Sequence, residues 1–221
     1  MLNHHVADYG NQLQATASYL PGSHKPLPWA PELIMLFWEA FQWNKRFRSF
    51  IVDTDRAHDF IVLTIFYAMD QRHDPSKHGL VRMCIFVLQS LSTEPNFGKS
   101  LNKLFENHDS LPASIREPNF YGTYADYLIA SVHNLITVGK GKLDTTYPAL
   151  IAILNNIAAY IQGLSQLSSV KLMQLFNMFS APKSLFSDKN NHLLLHSLLE
   201  VFNSIIEHQR HSTFFCTDFM T

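Results

Sequence analysis

Residues 144–163 read DTTYPALIAILNNIAAYIQG, and the spacing of their apolar side chains decides the class of fold. Tyr147, Leu150, Ile151, Leu154, Ile157, Ala158 and Ile161 recur at three- and four-residue intervals, which gathers them on one face of an α-helix. Asp144 suits the start of that helix and Gly163 its end. None of the two-residue alternation of a half-buried strand is present.

The same period extends outward in both directions. Leu172, Leu175, Phe176 and Phe179 carry it through residues 165–180, where Ala181-Pro182 stops it. Residues 188–208 repeat it with Leu194, Leu195, Leu198, Phe202 and Ile205 on one side and His192, His196, Glu200, Asn203 and Glu207 on the other. Toward the N-terminus, Thr123 and Asp126 have the spacing of a capping box and open a helix over 123–138 with Leu128, Val132, Leu135 and Ile136 as its stripe. The Gly139-Lys140-Gly141-Lys142 run that follows reads as a connector. Further helices are expected over 76–91, over 55–70 with Asp55 as its cap, and over 30–44 with Pro31 in the first turn.

Helices of this length, several apolar on two faces, imply an all-α chain of the α-solenoid type, with hairpins stacked as in HEAT or armadillo repeats. The expected hairpins pair 30–44 with 55–70, 76–91 with 123–138, and 144–161 with 165–180, leaving 188–208 without a partner. Residues 1–29, rich in proline, read as an extended leading segment, 30–209 as the helical-repeat region and 210–221 as a divergent tail. On this reading the chain is a fragment of a larger stack.

Of 221 residues, 47% are hydrophobic and 16% charged, enough apolar material for a substantial core. The formal charge of -1 offers no positive field for nucleic acid or an anionic membrane, and Lys45, Arg46 and Arg48 are too short a cluster to change that. The longest apolar run, Ala57 to Met69, is interrupted and shorter than a membrane span. Two cysteines, Cys84 within an apolar run and Cys216, make no disulfide framework.

No nucleophile elbow, phosphate loop or dinucleotide glycine fingerprint appears, so no enzyme, cofactor or small-molecule substrate is expected. The sharpest chemical candidate is His192, His196 and Glu200, one turn apart on a helix, which could grip a metal. The glutamate that a zinc hydrolase helix carries beside its first histidine is missing, and a solvated polar face is the simpler reading. The irregular stretch from Ser92 to Tyr121 is long enough to have a job, and Asn96, Phe97 and Asn102 mark it as a contact loop toward a partner or toward the chain itself. Phe202 and Ile205, on the helix without a partner, are the second expected interaction surface.

Five ordered blocks carry a family resemblance: Tyr19-Leu20-Pro21-Gly22-Ser23 with Lys25-Pro26; Leu36-Phe37-Trp38-Glu39; Asn96-Phe97-Gly98 with Leu101-Asn102-Lys103; Gly122-Thr123 with Ala125-Asp126; and Asn191-His192 with Leu198-Leu199-Glu200-Val201-Phe202-Asn203. In these the chain resembles the high-temperature-induced dauer-formation family, relatives of the dymeclins, over about residues 10 to 209. The resemblance implies a large cytoplasmic helical-repeat protein, peripherally held on Golgi and trans-Golgi membranes and acting in secretory sorting or vesicle formation through protein partners. It also ties membrane attachment to a myristoylated N-terminal glycine, which Met1-Leu2 does not provide. That departure, with a tail past Gln209 that no longer resembles the family, fits an interior piece or a truncated gene product of such a protein.

Overall fold

A computed structural model describes residues 29–54, 56–138 and 143–217, with side chains to residue 208. Asp55, the 139–142 connector, nearly all of the leading segment and the end of the tail lie outside the described residues. Among those described, the chain is all-α. Its helices are α1 (Ala30–Trp43), α2 (Lys45–Asp53), α3 (Ala57–Gln71), α4 (His78–Ser92), α5 (Pro95–Ser100), α6 (Tyr124–Val138), α7 (Tyr147–Ala158), α8 (Gln166–Ser180), α9 (Pro182–Leu185) and α10 (Asn191–Thr217).

Local chemistry sets most of these bounds. Asn44 ends α1 and accepts from the Phe47 amide at 3.1 Å to start α2. Arg48 then donates from Nε to the Phe41 carbonyl and from Nη2 to the Gln42 carbonyl, supplying the free oxygens at the end of α1. Among the described residues, that basic cluster forms an ion pair through Arg48 with Glu94 at 3.4 Å, an internal contact. Ser165 caps α8 by accepting from the Ser168 amide, and Gly163 takes the left-handed φ of 69° in the turn before it.

The packing order differs from the expected hairpins. α3 packs chiefly on α4, α6 on α8 and α3 and also on α7, and α7 on α4 and α10. Two rows result, α1–α4–α7–α10 and α3–α6–α8, joined by α3 to α4, α6 to α7 and α8 to α10. The pairing register is therefore one helix later than the reading from residue 30 onward. What looked like a simple connection contains the second helix α2, and α1 packs chiefly on α2 and α4 while touching α3 through the stacked Phe37 and Phe60 rings. The final helix is consequently not partnerless: Leu194, Leu198, Val201 and Ile205 are buried, and α10 lies against α7 and α8.

The core follows the rows. α4 and α7 pack on each other, and Val81, Cys84, Ile85, Leu88 and Leu91 of the one and Leu150, Leu154 and Ile157 of the other have essentially no exposure. Each such side chain contributes about 1.5–3 kcal/mol by leaving water. α6 is buried on every side from Ala125 to His133, which explains its continuous apolarity.

Candidate interaction surface and the junction beneath it

The stretch from Ser92 to Tyr121 is not free irregular chain. Pro95 opens the short α5, whose Phe97 is wholly buried and therefore belongs to the core. Gly98 lies so close to α7 that a Cβ there would overlap the Tyr160 ring, 2.9 Å from its Cγ. Asn102 grips the chain after α7 with both ends of its amide: Nδ2 donates to the Tyr160 carbonyl at 2.8 Å, and Oδ1 accepts from the Gln162 amide at 2.8 Å. Asn96, which is exposed, donates to Asp53 Oδ1 at 3.1 Å. All three contact-loop residues thus touch the chain itself: Phe97 in the core, Asn102 at Tyr160 and Gln162, and the exposed Asn96 at Asp53.

A second set of polar groups completes this junction. Thr123 and Asp126 form the expected capping box: the Thr123 amide donates to Asp126 Oδ2 at 3.0 Å and the Asp126 amide to Thr123 Oγ1 at 3.3 Å. The other carboxylate oxygen, Oδ1, accepts from the Ser168 hydroxyl at 2.6 Å and the Ser165 amide at 3.0 Å, bringing the start of α8 onto the start of α6. Burial is the largest influence on this carboxyl and raises its pKa. The hydrogen bonds from Ser165 and Ser168 and from the Thr123 and Ser165 amides outweigh it, so the net direction is downward.

The remainder of the segment is held by buried polar contacts. Lys171 of α8 lies 3.1 Å from Glu117 Oε1 and donates to Asn134 Oδ1 at 3.0 Å, while Asn134 donates to Glu117. The Glu117 amide donates to His108 Nε2 at 3.1 Å, inside a cluster of Phe105, Phe120 and Tyr127 rings. Glu117, His108, Lys171 and Tyr160 were not singled out in the sequence, because no spacing rule links residues so far apart. Cys84 sits without exposure in α4, and burial pushes its thiol up to about 12, leaving no thiolate for chemistry.

On α10, Ile205 is buried and Phe202 is half-buried against Phe176, with ring centroids 6.0 Å apart. Among the described side chains of this helix, the large apolar ones left outside are Leu193, Leu199 and Ile206. Leu199 lies with Asn155, His196, Glu200, Asn203 and Glu207 along an open groove between α7 and α10. His196 Nδ1 stands 3.7 Å from Glu200 Oε1, both well exposed, and Asn155 donates to Glu200 Oε2 at 3.5 Å. Among the described residues no three His, Cys, Asp or Glu side chains gather closely enough to hold a metal, so His192 does not join this pair in a site. No helix among them is long and apolar enough to cross a membrane.

Comparison with known proteins gives these features a family. The model of the high-temperature-induced dauer-formation protein family matches residues 2–215, past the Gln209 boundary expected for the tail. Human Protein HID1 is 38% identical over 192 residues, 87% of this chain and 24% of that protein. The fission yeast Ubp5-interacting protein ftp105 is 34% identical over 197 residues, 89% of this chain and 21% of that protein. Protein HID1 of Dictyostelium discoideum is 30% identical over 200 residues, 90% of this chain and 22% of that protein. The chain therefore spans about a quarter of the length of these relatives. No solved structure matches. The chain belongs to the high-temperature-induced dauer-formation protein family.

Proposed function

We propose that the chain is a non-enzymatic scaffold segment of a longer α-solenoid that acts peripherally, from the cytoplasmic side, on Golgi and trans-Golgi membranes in secretory sorting or vesicle formation. The observation that carries this reading is how the polar groups are used. Asn102, Asp126, Glu117 and Lys171 all hold one helix or loop to another, whereas apolar side chains such as Leu199 and Ile206 remain outside. Such a division suits a molecule that presents faces to protein partners and to the rest of its own chain, with no nucleic acid or small-molecule substrate.

The two-row order of the helices supports a HEAT-like or armadillo-like stack, because each row can be extended at its ends by further helices. Family membership supports the trafficking role, and the printed name of the fission yeast relative supports protein partners for members of the family. The test is to express the tagged full-length parent and this 221-residue chain side by side in the same cells. Enrichment of the parent on Golgi membranes is expected. A parent spread evenly through the cell, or found on another organelle, overturns the reading.

A further inference from the structure

α4, α7 and α10 repeat one another in register. Leu150, Leu154 and Ile157, buried on α7, follow Cys84, Leu88 and Leu91, buried on α4, by one constant interval, and Ile151, Ile153 and Ala158 follow Ile85, Val87 and Ser92 by the same interval. A second constant interval carries Leu150, Leu154, Ile157 and Ile161 onto Leu194, Leu198, Val201 and Ile205, buried on α10. Each helix of the row therefore turns the same positions inward.

Hydrogen bonds show which side of each helix looks forward along the row. Asn156 of α7 donates to Ser92 Oγ of α4 at 2.9 Å, and Asn155 donates to Glu200 Oε2 of α10 at 3.5 Å. Arg82, near the start of α4, donates to Thr145, just before α7, at 2.7 Å, so these two helices run parallel. In the shared register Ser92 corresponds to Ala158 and Phe202, and Asn155 to Gln89 and Leu199. With the residue one turn earlier they form one stripe: Ile85–Gln89–Ser92 on α4, Ile151–Asn155–Ala158 on α7, and Leu195–Leu199–Phe202 on α10, which Ile206 extends.

On the first two helices the next helix closes this stripe: Ile85, Ser92, Ile151 and Ala158 are at most 1% exposed. On α10 it stays open, with Leu195 and Phe202 half-buried and Leu199 and Ile206 48% and 57% exposed. It is also more apolar there. Leu199 stands where α4 and α7 carry Gln89 and Asn155, and Phe202 where they carry Ser92 and Ala158. Its steps of four, three and four residues are those of a helix face that receives another helix.

We propose that the Leu195–Leu199–Phe202–Ile206 stripe seats the next helix of the row, contributed by the longer family protein and lying parallel to α10 as α7 lies to α4. The repeat itself names the occupant, because α7 and α10 each fill the seat before theirs as later helices of the same polypeptide. Further chain exists in the family to supply it, since the stretch matched here is 24%, 21% and 22% of three relatives. Two copies meeting stripe to stripe across a two-fold axis would set α10 antiparallel to itself, against the order of the row. The inference rests on the reading of the chain as a segment of a longer α-solenoid, and is independent of the membrane on which that protein acts.

The test compares the 221-residue chain with the full-length parent, both purified and free of membrane. Each carries Leu199→Cys or, as the control, Leu193→Cys, which is 54% exposed and lies off the stripe. A charged maleimide reacts with the thiols, and peptide mass spectrometry reads the modified position, so that other cysteines do not interfere. Leu199→Cys should react about tenfold more slowly in the parent than in the 221-residue chain, and Leu193→Cys equally fast in both. Ile206→Cys should show the same slowing, and replaces Leu199→Cys if that variant fails to fold. Equal rates at the stripe in the two proteins overturn the proposal. So does a slowing in the 221-residue chain that grows with its concentration, which makes a second copy the occupant. A slowing of the parent in cell extract that disappears on purification overturns it too, in favour of another protein. Protection of the stripe in a purified parent that never reaches Golgi membranes sinks the trafficking reading and leaves this one standing.

Discussion

The Ser168 hydroxyl donates to Asp126 Oδ1 at 2.6 Å across 42 residues of sequence, with Ser168 itself fully buried. One side chain therefore both caps α6 and clamps α8. Replacing Asp126 with Asn removes the charge that these donors serve, at a cost of about 2 kcal/mol near neutral pH. The folded pKa lies below the unfolded value of about 3.9, so this contribution is present above that value and lost as pH falls through the folded pKa. Urea midpoints of the native chain and Asp126→Asn should converge between about pH 7 and about pH 2. A gap that stays constant over that range contradicts the assignment.

Gly98 of α5 lies directly against the Tyr160 ring, just past the end of α7. Gly98→Ala should destabilise the chain by about 1–3 kcal/mol through overpacking, more than helix propensity would return. Pairing it with Tyr160→Ala should recover part of that loss, a non-additivity measurable by a double-mutant cycle.

Asn102→Ala removes three hydrogen bonds, one of them local to the Lys99 carbonyl, and leaves the Tyr160 carbonyl and Gln162 amide without this partner. A loss of about 2 kcal/mol is expected. Hydrogen exchange should quicken around Gln162 before it changes in α4. Uniform quickening throughout the chain would mean that Asn102 acts globally instead.

The Lys171–Glu117 pair, with side chains 13% and 10% exposed, ties the 104–121 segment to α8. Lys171→Ala should cost about 3 kcal/mol, because the carboxylate stays behind without its cation. The double variant Glu117→Leu with Lys171→Met should recover most of it in thermal or urea unfolding.

Helix type was legible in the sequence wherever the apolar period was long, as in α4, α6 and α8, and the capping box at Thr123 was readable from two residues three apart. The pairing of those helices was not. It involves α2, whose nine residues are too few for the spacing of Phe47, Phe50 and Ile51 to stand out from a connection. Asn96, Phe97 and Asn102 were expected in a contact loop, and nothing local says that Phe97 turns inward or that Asn102 meets Tyr160 and Gln162. Phe202 and Ile205 illustrate the same limit, since choosing the outward side of α10 requires knowing that α7 and α8 both lie against it.

If the chain is a docking scaffold, as proposed, Leu199 and Ile206 on the outer side of α10 are side chains that its partners or the rest of the parent chain meet. Leu199→Asp with Ile206→Asp should leave the unfolding of the isolated chain within about 0.5 kcal/mol of the original, as exposed positions do. Introduced into the full-length parent, the same pair should abolish its Golgi enrichment and strip bound proteins from the affinity-purified material. A parent that keeps both its location and its partners with these two charges in place would contradict the claim.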